Sequence, residues 1–215
     1  MSRWAVFVDF DGTITDRDTF DVLVPIFATK AVWDETERGL DDGTLTIRDA
    51  LARQAAFVRG GHAEIAALLR REVRVDPSFA PFARACVAAG VALTIVSSGV
   101  ESIIRDRLAE IGLADLPVVA NAVVPNPAGW EMRFRDAAEN GTDKTALVAA
   151  AAARGELTIF IGDGRSDYEA ARAADIRFAK IGLPLELHLT ERGIAFEPFA
   201  TFADVEATLA ASGIV

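Results

Sequence analysis

The stretch WAVFVDFDGT, residues 4–13, joins an apolar run to a short polar turn. Trp4 to Val8 reads as a buried strand, a continuous run of apolar residues bounded by a turn signal. Asp9 and Asp11 follow at alternate positions, which directs both carboxylates to the same side of an extended chain. Like charges held together repel, and each raises the other's pKa unless a cation lies between them. Asp is common in turns and caps, which accounts for one such residue after a strand better than for two. A magnesium ion resolves the conflict, because it takes oxygen ligands and is usually held by one or two carboxylates, waters and phosphate oxygens.

The same grammar recurs along the chain. Residues 91–99 (VALTIVSSG), 157–164 (LTIFIGDG) and 176–182 (IRFAKIG) read as further buried strands. Helical patterns lie between them, several closed by a glycine: 81–90, 100–112, 143–155 and 166–175. Alternation of this kind predicts βαβ units, hence an α/β fold built on a doubly wound parallel sheet with helices on both faces. Ligands bind such sheets at the carboxyl ends of the strands. Three of the predicted strands end there in DFDGT, SSG and GDGRSD.

Residues 17–76 break the pattern. They carry helical periodicity with turn breaks and no buried strand, and Thr46 with Asp49 marks a helix start. They read as an all-helical insert after the first strand. Residues 118–135 read as two strands around a Pro/Asn/Gly turn, a β-hairpin. The expected division is therefore a core of 1–16 and 77–215 and a helical unit of 17–76.

Composition narrows the functional class. The chain has 215 residues, 51% hydrophobic, enough for a substantial core. A net charge of −10 provides no basic face for nucleic acid, although local donors and a cation can still bind a small anion. No apolar stretch has the length of a membrane span, and the opening Met-Ser-Arg leaves no room for a signal peptide before the first strand. The single cysteine, Cys86, excludes an internal disulfide and argues against a cysteine-based zinc site. These features predict a cytoplasmic protein with no membrane or nucleic-acid partner. Oligomeric state is open between monomer and homodimer.

The remaining polar turns supply further chemistry. Asp163 and Asp167, four apart in IGDGRSD, share a face if the chain turns into a helix there, though either also suits an N-cap. Ser97 and Ser98 stand at a strand end before a helix, where hydroxyls and backbone N–H groups bind phosphate or merely cap. Lys144 opens a helix, an unfavourable place for a cation unless it has a task.

In chain order these are Asp-x-Asp-Gly-Thr, Ser, Lys and Gly-Asp-x-x-x-Asp. This series, over essentially the whole chain, resembles the haloacid dehalogenase superfamily of phosphohydrolases. A helical insert directly after the first motif is similar to the small cap of its phosphoserine-phosphatase-like branch, beside a Rossmann-like core with a hairpin flap. The resemblance implies a magnesium-dependent phosphomonoester hydrolase. Asp9 would attack phosphorus to form an aspartyl-phosphate, and Asp11 would protonate the leaving oxygen and then deprotonate water. Asp9, the backbone carbonyl of Asp11, and Asp163 would hold Mg2+, with Asp167 ordering water or Lys144. Ser97 and Lys144 would bind the phosphoryl oxygens, with Thr13, Gly12 and Ser98 as secondary candidates.

The substrate, a small-molecule phosphomonoester, would be chosen by the cap. The segments TITDRDT and 177–205 are most similar to 2-hydroxy-3-keto-5-methylthiopentenyl-1-phosphate phosphatases. Phosphoserine phosphatases and phosphoethanolamine/phosphocholine phosphatases are the alternatives, and a phosphomutase or phosphotransferase is the alternative of another class. Phosphoserine phosphatases usually carry Glu where Asp18 aligns and Arg where Gln54 aligns, so Asp18, Gln54 and the neighbouring Arg53 are the candidate specificity residues.

Overall fold

The computed structural model describes residues 4–215. Seven strands form one sheet: β1 (Trp4–Val8), β2 (Ala92–Val100), β3 (Val118–Asn126), β4 (Gly129–Arg133), β5 (Leu157–Gly162), β6 (Ile176–Lys180) and β7 (Glu197–Phe199). Their order is β4-β3-β2-β1-β5-β6-β7. All neighbours are parallel except β3 and β4, which make the expected antiparallel hairpin.

The central strand β1 shows why the sheet is covered on both sides. Val6 and Val8 join Ile95, Ile159 and Phe178 in one apolar cluster. Ala5 and Phe7 join Val96 and Phe160 in another. Period-two alternation thus loads both faces, as a parallel sheet requires. The first face is covered by α5 (Phe79–Ala88), α6 (Glu101–Glu110) and α10 (Phe202–Ala211), and the second by α7 (Lys144–Ala153), α8 (Tyr168–Ala173) and α9 (Pro184–Glu191).

Four helices follow β1: α1 (Thr19–Phe27), α2 (Lys30–Asp41), α3 (Ile47–Ala55) and α4 (His62–Glu72). The chain leaves and re-enters the sheet layer through two adjacent segments. Thr15 bridges Val75 in antiparallel fashion, and Asp16 and Arg74 exchange hydrogen bonds of 2.9 and 2.8 Å. The helical bundle has its own apolar cluster, including Phe20, Leu23, Ile65 and Leu69, but Val100, Ile103 and Trp130 complete it from the sheet side. Trp130 of the hairpin is therefore a packing residue beneath the helices.

The expected elements recur with three differences. Ser97 and Ser98 lie within β2, and Val100 stands at the N-terminus of α6 without a side-chain cap, so the serines are not helix caps. The segment after Asp163 begins as a 3₁₀ turn over Arg165–Asp167 before α8. Strand β7 was not expected. It is three residues long and contains Pro198, which an edge strand tolerates.

Candidate active site

The carboxyl ends of β1, β2 and β5 meet beneath the helical bundle around a cleft of about 320 Å³. Behind its lining residues Asp9 and Ser166 lies Lys144. Its side chain is 1% exposed, and Nζ donates to Asp9 Oδ1 at 2.7 Å, Asp167 Oδ1 at 2.7 Å and Ser166 Oγ at 3.0 Å. The cation placed against its helix dipole has its task here, as the hub between two buried carboxylates. Their charges hold its pKa above the ordinary lysine value despite burial, so it stays protonated.

Asp9, Asp163 and Asp167 each offer an oxygen, and these lie within 4.8 Å of one another. Burial, then the charge of Asp167, pushes Asp9 well above the usual carboxylate range even though Lys144 pulls it down. Burial and Asp167 raise Asp163 to about 7. Three carboxylates with one lysine form a site short of positive charge, and hard oxygen donors suit Mg2+. The three are not equivalent. Asp167 is fully engaged: Oδ1 takes Lys144, and Oδ2 takes the backbone N–H groups of Asp163 and Gly164, each at 3.0 Å. Among the described residues Asp163 receives the Thr13 hydroxyl on Oδ1 only, and Asp9 receives Lys144 on Oδ1 only. Free carboxylate oxygens thus remain on Asp9 and Asp163, whereas Asp167 orients the loop and the lysine.

Gly12 makes this approach possible. Its φ is +75°, a region that favours glycine, and a Cβ there would lie 2.3 Å from Asp163 Oδ2. Lys180 fastens the same turn, donating to the carbonyls of Gly12, Thr13 and Thr15 at 2.8, 2.9 and 3.2 Å.

Asp11 does not share the environment of Asp9. Strand β1 ends at Val8, so strict alternation does not extend to it. Its carboxylate accepts from Thr19 N at 3.0 Å and Ser97 Oγ at 3.4 Å, at the junction of β2 and the helical bundle. Burial raises its pKa, and the Thr19 hydrogen bond opposes that rise. A carboxyl whose pKa is raised by burial is suited to proton transfer.

Ser97 is buried and its Oγ also receives Gly99 N at 2.9 Å. A Cβ on Gly99 would meet Asp11 Oδ2 at 2.6 Å, so this position too is kept bare for the acid. The Ser98 hydroxyl donates to the carbonyl of Asn140, and Thr142 Oγ1 donates to the Ser97 carbonyl at 2.9 Å. Buried Asn121 adds a brace, from Nδ2 to the Ser98 carbonyl at 2.8 Å and from Arg135 N to its Oδ1 at 3.0 Å. These bonds tie the end of β2 to the loop that delivers Lys144. Ser98 therefore has a structural partner, although it also lines the cleft.

The expected specificity residues separate. Asp18 caps α1, taking Phe20 N at 2.7 Å, and faces the cleft. Its side chain is exposed at the cleft, and desolvation by the surrounding walls, then the charges of Asp11 and Asp21, raises its pKa above the usual carboxylate range. Gln54 is 4% exposed and also lines the cleft. Arg53 does not: it pairs with Glu35 of α2 at 2.7 Å, turned about 100° around α3 from Gln54. Sequence reasoning missed Lys180, Asn121, Asp21, Glu37 and Arg165. For Lys180 the signal was a lysine ending an apolar strand; for Arg165, a cation between two motif aspartates.

A parallel sheet whose strand ends gather three carboxylates and a buried lysine, roofed by a helical insert, defines an enzyme of the aspartate-centred hydrolase type. The chain matches the family described as haloacid dehalogenase-like hydrolase over residues 6–172, and it belongs to that family. It is 33% identical to Pdp3-interacting factor 1 of Schizosaccharomyces pombe, over 95% of this chain and 93% of that protein. It is 27% identical to polyol phosphate phosphatase PYP1 of Saccharomyces cerevisiae (97% and 93% covered). It is also 27% identical to 2-hydroxy-3-keto-5-methylthiopentenyl-1-phosphate phosphatase of Exiguobacterium sibiricum (93% of each). The fold is that of a substrate-bound phosphoserine phosphatase, with a TM-score of 0.72 at 18% identity, covering 95% of this chain and 97% of that one. Among the described residues no helix is long and apolar enough to cross a membrane.

Proposed function

We propose that the protein is a Mg2+-dependent phosphomonoester hydrolase acting through an aspartyl-phosphate on Asp9. The observation that carries this reading is the Lys144 hub, which bonds one oxygen of Asp9 within a cluster that also brings Asp163 close. Asp9 and Asp163 would hold the ion, with the Asp11 carbonyl as the third protein ligand. The bound ion supplies positive charge that lets an anionic ester approach a carboxylate nucleophile. Lys144 and Ser97 hold the phosphoryl oxygens, and Thr13 fixes Asp163. Asp11, against Ser97 and Thr19, gives its proton to the leaving oxygen and takes one from the water that follows.

In this reading residues 17–76 act as a cap over the strand ends and choose the leaving group. The salvage-type enol phosphate named for several relatives is the first candidate substrate, and a polyol phosphate is the second. The second is favoured by the acidic wall of the cleft, formed by Asp18, Asp21 and Glu37. The setting is read as cytoplasmic, with no nucleic-acid partner.

The test is phosphate release from a panel of small phosphomonoesters with Mg2+, by the natural protein and by Asp9→Asn. The expected result is release that Asp9→Asn and excess chelator each abolish. Release that survives either change overturns the mechanism, and transfer of phosphate to a second alcohol in place of water points to a phosphotransferase.

A further inference from the structure

Strand β2 is regular only as far as Val96. Val96 stands opposite Val119 of β3, and the next pair is Val100 with Asn121, so residues 97–99 lie against Ala120 alone. The ladder to β1 has already finished, with Val8 opposite Ile95. Among the described residues Ser97, Ser98 and Gly99 therefore have no ladder pair on either side. Bulges beside active sites re-aim side chains, and the backbone groups they displace need other partners.

Side chains supply those partners. Thr142 Oγ1 donates to the Ser97 carbonyl at 2.9 Å, and Asn121 Nδ2 to the Ser98 carbonyl at 2.8 Å. Ser97 Oγ takes Gly99 N at 2.9 Å and reaches Asp11 Oδ2 at 3.4 Å. Asn121 and Thr142 are both buried. The orientation of the Asn121 amide follows from its partners, since a carbonyl needs a donor and an N–H an acceptor: its Oδ1 takes Arg135 N at 3.0 Å. Both ends of the amide are thus engaged, in a buried network where a bond is stronger than at the surface.

These two residues grip the segment leading to Lys144 at both ends. Arg135 follows β4 at its root. Thr142 stands at its tip, where the Lys144 N–H donates to the Thr142 carbonyl at 2.9 Å. Between them the Ser98 hydroxyl donates to the Asn140 carbonyl. Ser97 and Lys144 come from different segments, and this bonded joint fixes one against the other. We infer that Asn121 and Thr142 are positioning residues for phosphoryl transfer: by clamping the bulge to the segment before Lys144, they set where Ser97 stands relative to Lys144 and Asp9. Neither lines the cleft. The inference rests on the phosphatase reading for the reaction, and it adds two residues that act on that reaction only through others.

A group misplaced by about 1 Å can cost about 100-fold in rate. Asn121→Leu keeps the branched shape and removes both bonds of the amide. Thr142→Val removes one hydroxyl, and Thr142→Ser restores it. Each variant is assayed with Mg2+ on the fastest phosphomonoester of the panel, at a temperature where circular dichroism shows it folded. The expected result is a fall of about 10- to 100-fold in kcat for Asn121→Leu and Thr142→Val, with KM little changed. Thr142→Ser should keep the natural kcat. Affinity for orthovanadate, which takes the five-coordinate geometry of the transferring phosphoryl group, should fall by the same factor, whereas affinity for inorganic phosphate should hold. Because both residues act through one bulge, the double variant should lose no more than the worse single one. If Asn121→Leu does not fold, the two Thr142 variants decide the question.

A natural kcat in the folded variants overturns the inference and leaves the phosphatase reading standing. A loss confined to KM overturns it too, as do losses that multiply in the double variant and a Thr142→Ser no better than Thr142→Val. Hydrogen exchange is followed in parallel, because it does not depend on turnover. Amides 97–100 and 140–144 should exchange faster in Asn121→Leu and Thr142→Val. Absence of phosphate release from every ester by the natural protein refutes the phosphatase reading. The joint between the bulge and the lysine segment is then judged on exchange alone: faster exchange at both segments upholds it, and unchanged rates overturn it.

Discussion

Replacing Asp163 by Asn should make the metal-free protein more stable and at the same time remove its response to magnesium. Asp163 sits beside Asp9 and Asp167; Lys144 pairs with those two, and Lys144 and Lys180 reach Asp163 only through space. Burial and Asp167 lift its pKa from the ordinary 3.8 to about 7. A carboxyl raised on folding favours the folded state fully below pH 3.8, and this contribution is lost as pH rises through about 7. At 1.36 kcal/mol per pH unit, the loss is about 4 kcal/mol at pH 8. Asn keeps the acceptor for the Thr13 hydroxyl and carries no charge, so most of that loss should be recovered. The titrations of Asp9 and Asp163 are linked, so a gain of about 2–4 kcal/mol at pH 8 is the working figure.

The assay is urea unfolding of both proteins in excess chelator, at several pH values from 3.5 to 8. The two stability curves should be parallel at the acid end, diverge between about pH 4 and pH 7, and run parallel again above. Thermal midpoints at pH 8 should then differ by about 5–10 °C. Adding Mg2+ at 100 times its dissociation constant stabilises a protein by about 2.7 kcal/mol. The natural protein should show that rise and Asp163→Asn should not. A variant less stable than the natural protein in chelator at pH 8, or a pH-independent difference, refutes the crowding argument. A full magnesium response in Asp163→Asn refutes its place as a ligand.

Other changes probe neighbouring parts of the same machinery. Lys144→Met leaves Asp9 and Asp167 buried without their cation and should cost about 3–5 kcal/mol in urea unfolding, with loss of turnover. Gly12→Ala forces a left-handed residue, about 1–2 kcal/mol, and drives a methyl to within 2.3 Å of Asp163 Oδ2, so calorimetry should find magnesium affinity at least about tenfold weaker. Arg48→Ala removes the bond from Arg48 Nη1 to the Asp136 carbonyl (2.6 Å) and the stacking on Phe134, which dock α3 on the loop leading to Lys144. Faster hydrogen exchange over 134–141 is expected, together with a higher KM at the optimum pH.

The parts of the site that were legible in sequence are those fixed by backbone position. β1 ends at one place because the apolar run ends there, and β5 likewise, so Asp9 and Asp163 had to meet where parallel strands finish. The lysine was legible through its conflict with the helix dipole. The separate surroundings of Asp9 and Asp11 were not, because they depend on the chain abandoning extended geometry after Val8, with Gly12 at φ +75°. The same limit explains Arg53. An alignment slip of one residue on a helix turns a side chain by about 100°, which here separates a pocket-lining amide from a surface ion pair with Glu35. Asn121, Lys180 and Asp136 stayed hidden for another reason. Each serves backbone groups of a distant segment: Asn121 holds Ser98, Lys180 holds the turn at Gly12, and Asp136 holds the N–H of Asp143. Nothing in their local pattern marks that service, since a lone polar residue in a strand or loop reads as surface. The aspartates of the cleft were visible because strand ends bring them together, whereas the residues that brace the surrounding turns became visible only once the loops were in place.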